Sequence, residues 1–495
     1  MRTTLLLDLG ADTCGERIAI GPHDAGVSFA RLRNGARSAG AELGSKLATK
    51  VAFIGRNGPA MPLALFAAGY AGRPFVPLNY RLKDAELRRL LERCAPCLAV
   101  VDDDMVERIA GITDVEPIGR RAFEERFLDP DLPEQPIAEE PDEDIAVLLF
   151  TSGTTGDPKA AVLRHANLTG YVMNAVEFLA SGEDEAALVS VPPYHIAGIS
   201  AVLTSCYGGR RIVYLPQFEA NEWVAVAARE RITHAMVVPT MLDRILDAMD
   251  RQGENLPSLR ALSYGGGRMP EPTILRAMAK LPQVAFVNAY GLTETSSTIA
   301  LLDGEDHRAA FASDDPKVRL RLTSVGRPLP SLELEIRDAK GRLCAQGEPG
   351  EICVRGEQVS GEYLHKSALS EDGWFPTNDA GWLDEEGYLY VEGRLDDVIV
   401  RGGENISPGE IEDVLRSHPE VEDVAVLGLP CDKWGEKVAA AVVCRSESVG
   451  EEELAAHVRA RLRSTKTPEA WFFRRELPYN ETGKLLRRAL KAELA

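Results

Sequence analysis

Positive charge is in short supply: 56 Lys and Arg stand against 76 Asp and Glu over 495 residues, a formal net charge of −20. A nucleic-acid or anionic-membrane surface demands a basic footprint, so neither partner is expected. Long apolar runs are missing too. None reaches membrane-spanning length, and Met1-Arg-Thr-Thr-Leu-Leu-Leu-Asp8 stops after three apolar residues, too few for the core of a signal peptide. Cysteines are scattered, and only Cys94-Ala-Pro-Cys97 of the eight has a recognisable spacing. Zinc would want a second such pair, so these two read as small buried residues where a helix feeds a strand. A reduced, cytoplasmic protein is expected.

What is there is ordinary for a globular chain, 45% apolar and 27% charged. Its length predicts about three domains. Ser28 to Leu43 carries a helical period, Val51 to Ile54 reads as a buried strand, Lys83 to Arg93 as an amphipathic helix and Cys97 to Val101 as another strand. This alternation predicts a doubly wound α/β half. Leu128 to Asp144 concentrates prolines and acids, as an exposed connection does. Strand and helix alternation then resumes to about residue 300, through Ala187 to Val191, Arg211 to Leu215, His234 to Val238 and Val284 to Val287, predicting a second doubly wound half. Beyond residue 320 short alternating strands with turns imply a small β subdomain, and from residue 396 a compact α+β unit follows. No internal repeat is found.

The most informative stretch is Leu149-Phe-Thr151-Ser152-Gly153-Thr154-Thr155-Gly156-Asp-Pro-Lys159. The apolar run Ile145 to Phe150 before it suits a strand buried on both faces of a parallel sheet, and after it Ala160 to Leu163 reads as a strand followed by a helix starting at Asn167. Two glycines free the backbone, four hydroxyls offer donors and Lys159 a point charge, which suits phosphate oxygens. It is not a Walker loop, because Asp157-Pro158 stand between the second glycine and the lysine. A Ser/Thr/Gly-rich surface turn is the plain alternative. In Asn288-Ala289-Tyr290-Gly291-Leu-Thr293-Glu294, which follows a predicted strand, Tyr290 can stack on a base, Thr293 can donate to a phosphate and Glu294 can ligate Mg²⁺ as a hard oxygen donor. A helix-capping turn would look similar. Asp379, on a loop between Trp374 and Trp382, has the chemistry to accept both hydroxyls of a ribose.

Together with Gly393-Arg394-Leu-Asp396-Asp-Val-Ile-Val-Arg-Gly402-Gly403-Glu-Asn405 and the closing Leu477-Pro-Tyr-Asn-Glu-Thr-Gly-Lys484, these motifs resemble, over nearly the whole chain, those of the adenylate-forming enzymes: acyl-CoA synthetases, beetle luciferases and nonribosomal-peptide adenylation domains. The resemblance implies a large N-terminal domain (1–395) of two doubly wound α/β halves plus a β subdomain (about 320–394), and a small mobile C-terminal α+β lid (396–495) hinged at Asp396. It implies that Thr151 to Gly156 with Lys159, Gly265, Gly266, Asn288, Ala289, Tyr290, Gly291, Thr293, Asp379 and Arg394 bind ATP and AMP, with Glu294 holding Mg²⁺. Ser263-Tyr-Gly265-Gly266-Gly267-Arg268 would form the wall between adenine and the acyl pocket, His195 in Pro192-Pro-Tyr194-His195-Ile-Ala197-Gly would close the carboxylate site, and Lys484 would bridge the attacking carboxylate and the α-phosphate. Gly402 and Gly403 would line the pantetheine passage; Trp434 suits CoA adenine and a buried core position equally. In relatives a glycine usually precedes the ribose aspartate, whereas here it is Asn378.

The implied activity is an ATP-dependent carboxylic acid:CoA ligase working through acyl-AMP, with ATP, Mg²⁺ and CoA as its cofactors. Tyr194, His195, Ala197, Gly265, Gly266, Gly267 and Ala289 give a small or apolar acyl wall with no Arg or Lys, which suggests a hydrophobic, bulky or aromatic monoacid; a second carboxylate would need a partner. A free-standing adenylation enzyme that loads an acyl carrier protein, and a catalytically silent binding protein, are the alternatives. Monomer and homodimer are both compatible with the residues.

Overall fold

The computed structural model describes residues 1–44, 46–135, 144–151, 158–402, 404–431, 433–446, 449–479 and 485–494. Among them, a nine-stranded and an eight-stranded sheet make up the large N-terminal part. In the first, Ala285–Leu292, Ala261–Gly265, His234–Val237, Ala186–Val189, Arg211–Tyr214 and Ile18–Ile20 lie parallel in that order. In the second, Phe75–Pro77, Lys50–Ile54, Cys97–Val101 and Val115–Gly119 are parallel neighbours. Continuous apolar strands such as Cys97–Val101, buried at every position, are what a parallel sheet covered on both faces requires.

The two sheets are not consecutive in the chain. Ile18–Ile20 crosses to pair with Arg211–Tyr214, while Ile145–Thr151 docks on Phe75–Pro77 in the eight-stranded sheet. The sequence places Ile145 to Phe150 in a parallel sheet, buried on both faces. The strand Ile145–Thr151 is instead parallel to Phe75–Pro77 on one side and antiparallel to Lys159–Arg164 on the other. The short connection from Thr151 to Lys159 explains this, since parallel partners need a long crossover. The following helix begins at His165, ahead of the expected Asn167, whose side-chain oxygen accepts from Arg164 N at 3.0 Å within the first turn.

One core serves both sheets. Helices Thr4–Cys14, Phe29–Gly44, Ala60–Ala71 and Ile196–Gly208 insert Leu6, Leu7, Phe29, Leu32, Phe66 and Ile199 among strands of each. Ala60–Ala71 is apolar nearly all round because it is covered all round. Each fully buried Leu or Phe there contributes about 1.5–3 kcal/mol. Cys94 and Cys97 are buried and free, and burial pushes their thiols up to about 12 and about 11, which leaves both unreactive at neutral pH.

A four-stranded antiparallel sheet of Glu333–Arg337, Gly350–Arg355, Phe375–Leu383 and Leu389–Arg394 forms the β subdomain. After it comes a separate α+β unit with cores of its own, built on the long antiparallel pair Val421–Cys431 and Gly435–Cys444. Helix Pro408–Arg416 faces back toward the large part: Ser407 Oγ donates to Glu392 O at 3.0 Å, and Arg268 is ion-paired with Asp413. Among the described residues no helix is long and apolar enough to cross a membrane.

Candidate active site

Ile145–Thr151 in the eight-stranded sheet, and Ala261–Gly265 and Ala285–Leu292 in the nine-stranded one, each end in one of the sequence motifs. The Asn288 to Leu292 motif lies on the strand Ala285–Leu292 itself, which runs on past its expected end; Thr293 and Glu294 occupy the one-turn 3₁₀ helix that follows. That turn is braced. Ser296 and Ser297, immediately behind it, hold φ of 57° and 124°, and a Cβ on Gly291 would stand 1.7 Å from Ser297 O. Backbone held in sparsely populated regions by tight surroundings is typical of functional turns.

Tyr290 donates its hydroxyl to Asp379 Oδ2 at 2.6 Å, and Arg394 Nε lies 3.0 Å from Asp379 Oδ1. Asp379 and Arg394 face each other across the strands Phe375–Leu383 and Leu389–Arg394, and Arg394 also donates to Thr377 O at 2.9 Å. The arrangement joins the β subdomain to the large sheet. Burial beside the carboxylate pushes the Tyr290 phenol well up, so it stays protonated and donates. A carboxylate has about four lone-pair sites, which gives Asp379 the chemistry to accept hydroxyls of a ligand.

Glu294, 8% exposed, accepts from the Tyr363 hydroxyl at 2.7 Å, and the Lys159 ammonium stands 5.7 Å from the centre of the Tyr363 ring. Thr151 Oγ1 donates to Lys159 O at 3.4 Å where the two antiparallel strands pair. Ser152, Gly153, Thr154, Thr155 and Gly156 of that loop lie outside the described residues, as do Gly403 and Lys484. Mg²⁺ characteristically takes one or two carboxylates and completes its shell with water and substrate phosphates. One well-fixed carboxylate, Glu294, near the Lys159 ammonium fits that habit.

The three successive glycines separate into different constraints. A Cβ on Gly265 would lie 2.3 Å from Ala289 O of the neighbouring strand, and Gly266 has φ of 78°, so the fold itself requires both. Gly267 is different: a Cβ there meets nothing closer than Pro239 Cγ at 3.9 Å. Its open side suits a ligand. Asn288 is committed to the scaffold, donating to Ser324 O at 2.9 Å. Tyr194 is buried with its ring edge-on to Tyr80 (5.8 Å) and tilted on His195 (4.7 Å), and His195 and Ala197 open the helix Ile196–Gly208. Burial pushes the His195 imidazole down to about 4, so at neutral pH it is an uncharged ring.

In the C-terminal unit Gly402 has φ of 58°, and a Cβ there would meet Trp434 Cε3 at 2.9 Å. Trp434 is 38% exposed and flanked by Arg401 (5.1 Å) and Lys433 (4.8 Å), a cation-rimmed aromatic face rather than a core position. Asp396 lies in the exposed turn Leu395–Asp397, where it accepts from Asn378 Nδ2 at 3.0 Å. Asn378 has φ of 60°, the left-handed region that glycine fills most easily and asparagine tolerates. Sequence reasoning missed Tyr363, Ser360 and Tyr80, none of which sits in a motif with a chemical signature of its own.

The family model described as AMP-binding enzyme matches residues 9–364, and that of the AMP-binding enzyme C-terminal domain matches residues 410–484. A feruloyl-CoA synthase from Amycolatopsis is 34% identical over 92% of this chain and 90% of that protein. A 2-succinylbenzoate–CoA ligase from Bacillus cereus is 33% identical over 96% of this chain and 95% of its own. Among solved structures, the o-succinylbenzoate CoA synthetase from Bacillus subtilis in complex with its acyl-adenylate intermediate superposes with a TM-score of 0.84 at 30% identity, covering 98% of this chain and 97% of that one; the same enzyme has been solved with ATP and magnesium. The chain therefore belongs to the AMP-binding enzymes, within the adenylate-forming acyl-CoA synthetase superfamily.

Proposed function

We propose that this AMP-forming acid–thiol ligase converts an aromatic or similarly bulky apolar monocarboxylic acid to its CoA thioester. One observation carries the reading: Tyr290 gathers Asp379 and Arg394 at the end of its strand, and Glu294, in the turn that follows, gathers Tyr363 with Lys159 against its ring. A carboxylate is a poor electrophile, and AMP supplies the leaving group that hydroxide cannot. Asp379 would take the ribose hydroxyls and Arg394 would steady it; Lys159, Thr151 and the loop residues Ser152 to Gly156 would carry phosphate charge, with Thr293 donating beside them. Glu294 would hold Mg²⁺, which would supply charge neutralisation on the phosphates. Lys484 would hold the attacking carboxylate in line with the α-phosphorus. For the second half-reaction the C-terminal domain, 396–495, would rotate about Asp396, withdrawing Lys484 and presenting Gly402, Gly403 and Trp434 to CoA.

The acyl side is shaped by Tyr194, neutral His195, Ala197, Gly267 and Ala289, with no charged group among them. Arg268, the cation adjoining this wall in sequence, is already paired with Asp413. A second carboxylate would enter without a partner, at a cost of several kcal/mol on the order expected for an unpaired charge. Kinetics with hydroxycinnamate-type monoacids against aromatic dicarboxylates test this. The monoacids should give the higher kcat/KM; a dicarboxylate that outperforms them would transfer the proposal to the type of acid that the Bacillus ligases' name describes. Transfer to a carrier-protein thiol in preference to free CoA would likewise move the acceptor assignment.

A further inference from the structure

Tyr363 belongs to a short strand, Glu362–Tyr363, that reaches back from the β subdomain to extend the eight-stranded sheet. It pairs antiparallel with Lys159–Arg164, the strand that leaves the phosphate loop, with Tyr363 opposite Ala161 and Glu362 opposite Val162. Arg164 fixes this register with two hydrogen bonds of 2.9 Å to the Glu362 carboxylate, and the Ser360 hydroxyl is bonded to Val162 O. The same few residues hold the candidate metal ligand from three directions. Ser360 N and Gly361 N donate to Glu294 O at 2.9 and 3.1 Å, and the Tyr363 hydroxyl donates to Glu294 Oε1 at 2.7 Å. The ring that carries that hydroxyl faces the Lys159 ammonium.

Resting on the adenylating reading above, we infer that Tyr363 is a positioning residue for Mg²⁺: its hydroxyl fixes the orientation of the Glu294 carboxylate relative to the strand Lys159–Arg164. A free glutamate side chain must give up rotamer freedom when it takes a cation, and the clasp removes that cost beforehand. Hydrogen bonding also draws charge from the oxygen, which opposes metal binding. Orientation is the larger effect at metal sites, where loss of such a supporting partner weakens the metal by about 10- to 100-fold.

Tyr363→Phe keeps the ring against Lys159 and removes only the hydroxyl, so it isolates the clasp. Calorimetric titration with Mg·ATP, acid and CoA withheld, should show Kd raised about tenfold, while AMP in EDTA should bind within about twofold of the parent protein. A general loosening of the site would weaken both ligands alike, so equal losses overturn the inference, as does unchanged or tighter Mg·ATP binding. In a Glu294→Gln background the same substitution should have no further effect on Mg·ATP; a full additive loss there also overturns it. Failure of the parent protein itself to bind Mg·ATP would instead bring down the functional reading on which this rests.

Discussion

Asn378 illustrates how one backbone angle decides which side chains a position accepts. At φ of 60° glycine is unstrained, asparagine is tolerated, and a residue with an ordinary Cβ pays on the order of 1–2 kcal/mol. The relatives' usual glycine and this chain's asparagine therefore satisfy the same constraint. Asparagine adds something glycine cannot, a hydrogen bond to Asp396. Asn378→Ala should lose roughly 1 kcal/mol of stability, while Asn378→Gly should stay within about 0.5 kcal/mol of the parent, both read from urea midpoints. Equal losses in the two variants would show that the hydrogen bond, and not the angle, holds the position. The slot was visible in the sequence as a departure from the family pattern; the contact with Asp396 was not, because 18 residues of chain separate the partners.

Strand Ala285–Leu292 and its neighbour Ala261–Gly265 show how successive glycines of one motif can answer to different constraints. Gly265 and Gly291 have backbone where a side chain would be, so alanine at either should prevent the strands from pairing as they do. Gly267 has space. Gly267→Ala should leave the thermal midpoint unchanged and lower kcat/KM for the bulkiest acids by about tenfold, the usual cost of one methyl too many in a fitted pocket. Equal turnover of large and small acids by that variant would remove Gly267 from the acyl wall. The triplet was legible as a close-approach site, yet which glycine has an open side became visible only with the neighbouring strand in place. Distance along the chain set the same limit elsewhere: Tyr363 meets Glu294 across 69 residues and Ser360 meets Val162 across 198, so neither contact leaves a local signature. Ile18–Ile20 likewise gives no hint, as three residues, of the sheet it joins.

Across the molecule, burial of uncharged histidines predicts a loss of stability in acid. His165, 3% exposed, accepts at Nδ1 from Thr3 N at 3.2 Å and is pushed down to about 3; His195 is pushed down to about 4. Both pKa values lie below the unfolded value of about 6.5, so the unfolded chain binds more protons between pH 6.5 and 4. Their contribution is intact above pH 6.5 and is lost as pH falls through that window, on the order of 3 kcal/mol per ring by pH 4. Urea midpoints should fall steeply from pH 6.5 to 5, and His165→Gln should flatten the slope; a parallel slope in the variant would assign the acid sensitivity to other groups.

Overall architecture was the most legible feature, because alternating buried strands and amphipathic helices recur over hundreds of residues and the nucleotide motifs punctuate them in a fixed order. Interleaving of the two sheets was not, since strand order is decided by which sheet edges remain open after the helices pack. The joint claim of fold and site is that a carboxylate is activated as acyl-AMP and then passed to CoA. Mass spectrometry of the protein incubated with Mg·ATP and a panel of aromatic monoacids, with and without CoA, tests it most directly. The expected result is acyl-AMP with pyrophosphate when CoA is withheld, and the matching acyl-CoA with AMP when it is supplied; adenylate that accumulates unchanged in the presence of CoA would contradict the thioester step.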